Sequence, residues 1–472
     1  MNTVRIVSRL VIAWSAAVAI AASVTGAEPV NGPKTPLDEY VARPDPTYQW
    51  KVVNTIPGDG HTTFVVDLKS QSWRAVPEVD RAVWQHWLVI VKPDTVKHPT
   101  AFLSIGGGRN GSPAPKGASP QSIEMARTTN SVVAELKMVP NQPLVLNSDG
   151  KPRSEDDLLA YGWIKYMDTG DPLWIPRFPM VKSAVRAMDT VTALLASEQG
   201  GKVGVKTFVV AGGSKRGWTT WLTGAVDKRV VAIVPIVIDV VNVQACSINH
   251  FCSYGFWAPA IGDYTRHKVQ DRKGTPEHAA LMRIEDPYFY RDRLTMPKYV
   301  VNAGGDQYFP PDSSKFYFGD LVGPKYLRYV PNADHSLRGS DAQQSILAFY
   351  QAVLNKAAMP RFSWEMAADG SIRVKALDKP TEVNLWQATN PKARDFRLEA
   401  IGAAYKKSRL DPAEGGVFVA TVPKPKAGWT AFFVELVFDS GGKVPFKFTT
   451  QVSIVPDVLP HKIEEASKPM KK

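Results

Sequence analysis

The chain has 472 residues, 44% hydrophobic and 22% charged, a balance that excludes a largely disordered chain and leaves room for two domains. Its net charge is +12, but the basic residues are scattered apart from the short tail of Lys468, Lys471 and Lys472. That pattern excludes a nucleic-acid module and reads as a solvated basic surface, with contact to an anionic lipid or polysaccharide surface as the other use of the charge.

The N-terminus has the form of a secretory signal peptide. Arg5 and Arg9 are followed by an apolar run from Leu10 to Val24, and Thr25-Gly26-Ala27 supplies the small residues of a cleavage site. An uncleaved anchor fits less well, because the run is short for a membrane span and contains several Ala and Ser. Cleavage after Ala27 removes Arg5, Arg9 and no acid, lowering the charge from +12 to +10. The expected product is periplasmic or secreted, with no transmembrane helix. Export favours a disulfide between the only two cysteines, Cys246 and Cys252. His250 between them adds a third possible metal ligand, too few for a zinc site, so no metal is expected.

Residues 28–46 are Pro-rich and polar and read as an extended arm. Strands near Tyr48–Val53 and Thr62–Leu68 flank Pro57-Gly58-Asp59-Gly60, which predicts a hairpin. Trp87–Val91 and Ala101–Ile105 are continuous apolar runs suited to strands buried on both faces. Ser119-Pro120 opens a helix, Val132–Leu136 is a strand, and residues 179–198 form a helix ended by Gly200-Gly201. Strands at Thr207–Ala211, Val230–Ile238, Tyr299–Ala303 and Tyr326–Val330 precede a last helix over Ser340–Leu354. The alternation predicts an α/β fold with a mostly parallel central sheet over residues 28–360. Residues 239–296 alternate poorly and read as a cap insertion. After Pro360 come short strand signals at Phe362–Trp364, Ile372–Ala376, Val383–Trp386, Phe396–Ala400, Gly416–Val422, Ala431–Phe438 and Pro445–Val452. They predict an antiparallel β-sandwich-like domain over 361–460, with 461–472 as a loose tail.

The chemistry concentrates at Phe208-Val209-Val210-Ala211-Gly212-Gly213-Ser214-Lys215-Arg216-Gly217-Trp218. A strand, small residues, a serine and a helix make the context of a nucleophile elbow, which identifies Ser214 as a candidate nucleophile and the chain as a candidate α/β-hydrolase. Arg216 stands where G-x-S-x-G has its second glycine, and Gly217 follows one residue later. A serine needs a base oriented by an acid, in the order Ser, Asp, His for this fold. Asp306 follows a strand and two glycines, and His335 lies in the loop after the next strand. Asp312 and Asp334 are rival acids, and His250 a rival base. The backbone N–H of Lys215 and the glycine loop of Gly107, Gly108 and Arg109 are candidate oxyanion donors. The side chains of Arg109 and Lys215 also offer positive charge that would favour an anionic substrate. The loop lacks the Gly-Lys-Ser/Thr ending of a phosphate-binding loop, and no cofactor is required.

Further segments carry a resemblance: Tyr40-Val41-Ala42, Arg186-Ala187-Met188-Asp189, the elbow itself, Asp286-Pro287-Tyr288, Gly305-Asp306-Gln307-Tyr308-Phe309, Pro311-Asp312-Ser313, Leu385-Trp386-Gln387-Ala388-Thr389-Asn390 and Arg394-Asp395-Phe396. Together they resemble the PhoPQ-activated pathogenicity-related protein family over most of the chain. The elbow alone also looks like the Gly-x-Ser-Arg-x-Gly elbow of glucuronoyl esterases. The family resemblance implies an exported α/β-hydrolase-like protein associated with virulence and resistance to antimicrobial peptides. The expected activity is hydrolysis of an ester or amide on a small molecule or peptide. A serine peptidase, or a non-catalytic secreted binding or signalling protein on the same fold, are the alternatives.

Overall fold

The computed structural model describes residues 33–467. The signal-peptide segment 1–27 and the last five residues lie outside the described part.

Within the described part of the expected arm stands helix α1 (Pro36–Ala42), opened by a capping box in which Thr35 and Asp38 satisfy each other's backbone N–H groups. Its Leu37, Tyr40 and Val41 are buried. The hairpin of β1 (Gln49–Gly58) and β2 (His61–Ser72) follows, with Gly60 at φ 71° in its turn, and then β3 (Val83–Pro93). Next come β4 (Thr100–Ile105), α2 (Pro120–Thr129), β5 (Val133–Leu136), a two-residue ribbon of β6 (Leu144–Val145) and β7 (Pro152–Arg153), and helices α3 (Glu155–Thr169) and α4 (Arg177–Ala196). The elbow joins β8 (Thr207–Gly213) to α5 (Lys215–Val226), ahead of β9 (Val230–Ile236). The expected insertion is helical, with α6 (Val243–Tyr254), α7 (Gly262–Arg266) and α8 (Pro276–Glu285), and it leads into β10 (Lys298–Ala303), β11 (Lys325–Val330) and α9 (Ala342–Asn355).

The central sheet has the order β1-β2-β3-β5-β4-β8-β9-β10-β11. The strands from β5 to β11 pair parallel, and β1, β2 and β3 pair antiparallel at the other edge. Helices cover both faces, so alternate residues of one strand enter different apolar layers. Phe208 and Val210 join one layer, Val209 and Ala211 the other. This two-sided burial is why β8 reads as an unbroken apolar run.

The C-terminal part forms two antiparallel sheets. One contains β12 (Phe362–Met366), β13 (Ile372–Ala376) and β16 (Val417–Ala420). The other contains β15 (Lys406–Arg409), β14 (Glu382–Asn390), β17 (Trp429–Phe438) and β18 (Phe446–Thr449), with β19 (Ser453–Val455) also on β17. The strand expected at Phe396–Ala400 is absent; a single helical turn, α10 (Leu398–Ile401), stands there. Leu398 N–H donates to Gly305 O at 2.9 Å, so this segment is tied to the central domain and has no neighbouring strand. Residues 461–467 do not hang free either. His461 N–H donates to Cys252 O, and its ring packs over Gly255.

The expected disulfide does not form: Cys246 and Cys252 are buried free thiols. Both sit on α6, six residues apart, which separates them by ~9 Å along the helix axis, beyond what a disulfide spans.

Candidate functional site

Ser214 occupies φ 57°, ψ −128°, between the last residue of β8 and the first of α5. A side chain at such dihedrals costs energy, and the surroundings hold it there. Ser214 N–H donates to Ile236 O on β9 at 2.8 Å, and Trp218 N–H returns to Ser214 O at 3.0 Å. A Cβ at Gly212 would lie 2.6 Å from Arg216 O, and one at Gly217 would lie 2.9 Å from Gly212 O and 3.0 Å from Ile236 O. The turn therefore needs glycine two residues before the serine and three after it. The position two after is free to carry Arg216, which explains the departure from G-x-S-x-G.

Arg216 uses its side chain sideways. Its Nε donates to Val139 O and its Nη2 to Glu155 Oε1, both at 2.6 Å. A Cβ on Gly107 would collide with that guanidinium at 2.6 Å, so the glycine loop after β4 is glycine there to let Arg216 pass. Gly108, at φ 148°, packs against Met138. Gly107, Gly108 and the exposed Arg109 line neither of the two cavities that Ser214 faces. Gly107 and Gly108 thus have a packing role against Arg216 and Met138 beside the oxyanion role expected of that loop. Lys215 differs from the expectation in its side chain. Its Nζ sits 2.8 Å from Glu155 Oε2 and 3.4 Å from Asp156 Oδ1, which neutralises the charge offered to an anionic substrate. The Lys215 and Arg216 cations in turn hold the Glu155 carboxyl down at about 2, against the opposing effect of its burial. The Lys215 backbone N–H heads α5, where first-turn N–H groups have no intrahelical acceptor and the helix dipole is positive.

Asp306 is buried beyond β10, past Gly304 and Gly305. Its carboxylate accepts from His335 Nδ1–H at 2.8 and 3.0 Å and from Tyr308 N–H at 2.8 Å. With Nδ1 bonded to the carboxylate, the basic lone pair is on Nε2, which is buried without a hydrogen-bond partner. His335 N–H donates to Gln307 Oε1, and Tyr308 packs against the imidazole, tilted by 38°, with ring centres 4.2 Å apart. One cleft is lined by Gly213, Ser214, His335, Ser336 and Leu337. No hydrogen bond joins Ser214 Oγ to His335 Nε2.

The rival groups are engaged elsewhere. Asp312 pairs with Arg394 and Lys315, each at 2.7 Å, and these cations overcome its burial to hold its carboxyl well below the usual range. Asp334 accepts from Ser336 N–H and Oγ–H and shapes the loop. His250 Nε2 accepts from Ala258 N–H at 3.0 Å, and burial lowers its pKa to about 3. Ser214 also faces a second, mainly aromatic cavity, lined by Trp163, Trp218, Trp257, Tyr264, Tyr308 and Phe309. Much of its wall comes from the insertion, whose aromatics the sequence displays without a period that would have grouped them. Among the described residues, no cluster of His, Cys, Asp and Glu is arranged to hold a metal, and no helix is long and apolar enough to cross a membrane.

A nucleophile-type elbow after a central parallel strand, with Asp and His following in order beyond the ends of β10 and β11, defines the α/β-hydrolase fold. The chain belongs to the PhoPQ-activated pathogenicity-related protein family, whose profile matches residues 37–397. It is similar to autocrine proliferation repressor protein A of Dictyostelium discoideum, 38% identical over 457 residues, spanning 90% of this chain and 91% of that protein. Among solved structures it is similar to the acetyl xylan esterase from Paenibacillus sp. R4, with TM-score 0.46 and 14% identity over 67% of this chain and 91% of that one. The glucuronoyl esterase from Solibacter usitatus has TM-score 0.37 and 15% identity over 70% of this chain and 89% of that one.

Proposed function

We propose that this protein is an exported serine hydrolase that cleaves an ester or amide through an acyl-enzyme, with Ser214, His335 and Asp306 as its triad. The observation that carries the reading is the buried, unpartnered Nε2 of His335, bonded through Nδ1 to Asp306, in one cleft with a serine on a strained elbow. In the reaction, Ser214 Oγ bonds to the substrate carbonyl carbon as its proton passes to His335 Nε2. Asp306 stabilises the resulting imidazolium. The oxyanion accepts from Lys215 N–H at the positive end of α5. The intermediate collapses when the leaving alcohol or amine takes the proton from Nε2. Water then repeats the sequence and releases the acid and free Ser214. Ser214 and His335 line one cleft without a direct hydrogen bond, and catalytic hydrogen bonds often tighten only with substrate bound. The reading covers peptidase as well as esterase activity.

The test is fluorophosphonate labelling of purified mature protein. Labelling of wild type that is lost in both Ser214→Ala and His335→Ala supports the triad, whereas a folded wild type that resists labelling removes it. A second reading has its own support: the 38% identical relative is named a repressor of proliferation, which suits a secreted signalling protein on a hydrolase fold. Labelling separates the two. The link to virulence or antimicrobial-peptide resistance belongs to the same proposal and is tested by peptide survival of a deletion strain complemented with wild type or Ser214→Ala.

A further inference from the structure

Within the aromatic cavity beside Ser214, one cation stands apart from its neighbours. Lys273 lies in the insertion, half-buried, after the short turn that follows α7. Its Nζ sits 4.1 Å from the ring centre of Trp257. Among the described residues, it forms no ion pair and no side-chain hydrogen bond. Most of the buried or half-buried cations near the site are matched by acids: Lys215 by Glu155 and Asp156, Arg216 by Glu155, Arg177 by Glu285 at 3.1 Å. Burial without a compensating carboxylate pulls the Lys273 pKa down to about 7. It also helps to keep His278 beside it neutral.

Two further polar groups of this wall lack partners. Arg177 Nη2 and Gln270 Oε1 are both buried with no hydrogen bond. The carboxylate on the same wall, Asp156, already has Lys215 and accepts from Tyr264 Oη–H at 3.4 Å. A buried charge without a counter-ion is costly and rarely kept for folding alone. An apolar, aromatic cavity with a few polar groups awaiting partners is the usual form of a small-molecule site.

We propose that Lys273, held over Trp257, is an anion subsite, and that the substrate carries a carboxylate on the apolar or aromatic group lying in this cavity. This rests on Ser214 being the nucleophile only in so far as the occupant is a substrate; the subsite itself is a binding property. It also changes which residues give the site its positive charge, from Lys215 and Arg109 to Lys273. A hydrogen-bonded anion in this desolvated place restores the ammonium to full charge. An otherwise identical neutral ligand has nothing to offer it.

The experiment measures binding in the full mature chain carrying Ser214→Ala, so that no turnover is needed. Quenching of tryptophan fluorescence, to which Trp163, Trp218 and Trp257 contribute, reports titrations with 4-phenylbutyrate and with neutral 4-phenylbutanamide. The carboxylate is expected to bind about tenfold more tightly than the amide, the scale of one charged hydrogen bond. Lys273→Gln is expected to erase that preference and Lys273→Arg to retain most of it. Equal affinity for the two ligands, a preference that survives in Lys273→Gln, or no binding of either ligand overturns the proposal. Failure of fluorophosphonate labelling in the Ser214-containing chain would remove the hydrolase reading and leave this titration fully readable.

Discussion

His335 illustrates how a single residue's role is set by its partners. Its Nδ1–H is committed to Asp306, Tyr308 covers one ring face, and only Nε2 is left to accept a proton. Asp306→Asn keeps the shape but permits the wrong tautomer, so the labelling rate and ester turnover should fall about 10⁴-fold with folding intact. Stopped-flow labelling beside a circular-dichroism spectrum checks this, and an unchanged rate would remove Asp306 from the proposed triad. Gly217 is a second case, this one steric. An added methyl would press against two carbonyl oxygens at 2.9 and 3.0 Å, both backbone and unable to rotate away. Gly217→Ala should therefore cost roughly 1–3 kcal/mol in denaturant unfolding. A neutral result would mean the elbow has more slack than these distances allow. Neither residue announces this in the sequence. Gly217 is visible there as a glycine one position late, and only the packing of α5 on β8 and β9 explains the displacement.

At the scale of elements, the loops that carry Asp306 and His335 are braced by a segment far away in the chain. Leu398 N–H bonds to Gly305 O, and Asn332 and Tyr405 exchange two hydrogen bonds, from Asn332 Nδ2 at 2.9 Å and from Tyr405 N–H at 2.8 Å. Arg394, fully buried, joins Asp312 to Ser253 on α6. The segment between β14 and β15 is thus part of the candidate site's scaffold. Asn332→Ala should lower stability by about 1–3 kcal/mol, because Tyr405 keeps a backbone N–H without its acceptor. It should also slow Ser214 labelling, since the His335 loop loses a tether. Melting curves and labelling rates on the same preparation check both, and a loss of stability without slower labelling would make the clamp purely structural. Helix α6 supplies a further outcome: without reductant, iodoacetamide should alkylate both cysteines after unfolding, as mass spectrometry would show, and a protein that resists would contain the disulfide that the helix geometry forbids.

Over the whole molecule, the pH response includes two carboxyls of opposite kinds. Asp239 lies three residues beyond β9 and accepts from Tyr317 Oη–H and Tyr329 Oη–H, yet burial raises its pKa to about 8. Its folded pKa is raised, so the folded state binds the extra proton, and this contribution to stability declines as pH rises from about 4 to about 8. Glu155 is the reverse: its pKa is depressed to about 2, and its contribution is present above the ordinary carboxylate range and lost as pH falls towards 2. Melting temperatures of Asp239→Asn minus wild type should therefore increase between pH 5 and pH 8. A flat difference would mean that Asp239 ionises normally.

The alternation of strands and helices, the turn at Ser214 and the placement of Asp306 and His335 beyond strand ends were legible because each depends on local pattern: two-sided burial writes unbroken apolar strands, and a sharp turn requires small residues beside it. Helices α1 and α3 were missed, α1 because Pro and polar residues hide a helix whose apolar face is completed only by packing on α4. The pairing of Lys215 with Glu155, the role of Gly107 beneath Arg216 and the unmatched Lys273 were not legible at all. They depend on which distant side chains meet, and charge in a sequence carries no record of its partner. The sequence by itself determined the order of the elements and the residue types available to the chemistry. Tertiary structure alone decided which charges are cancelled and which remain, because burial and proximity, not composition, set the energy of a charge.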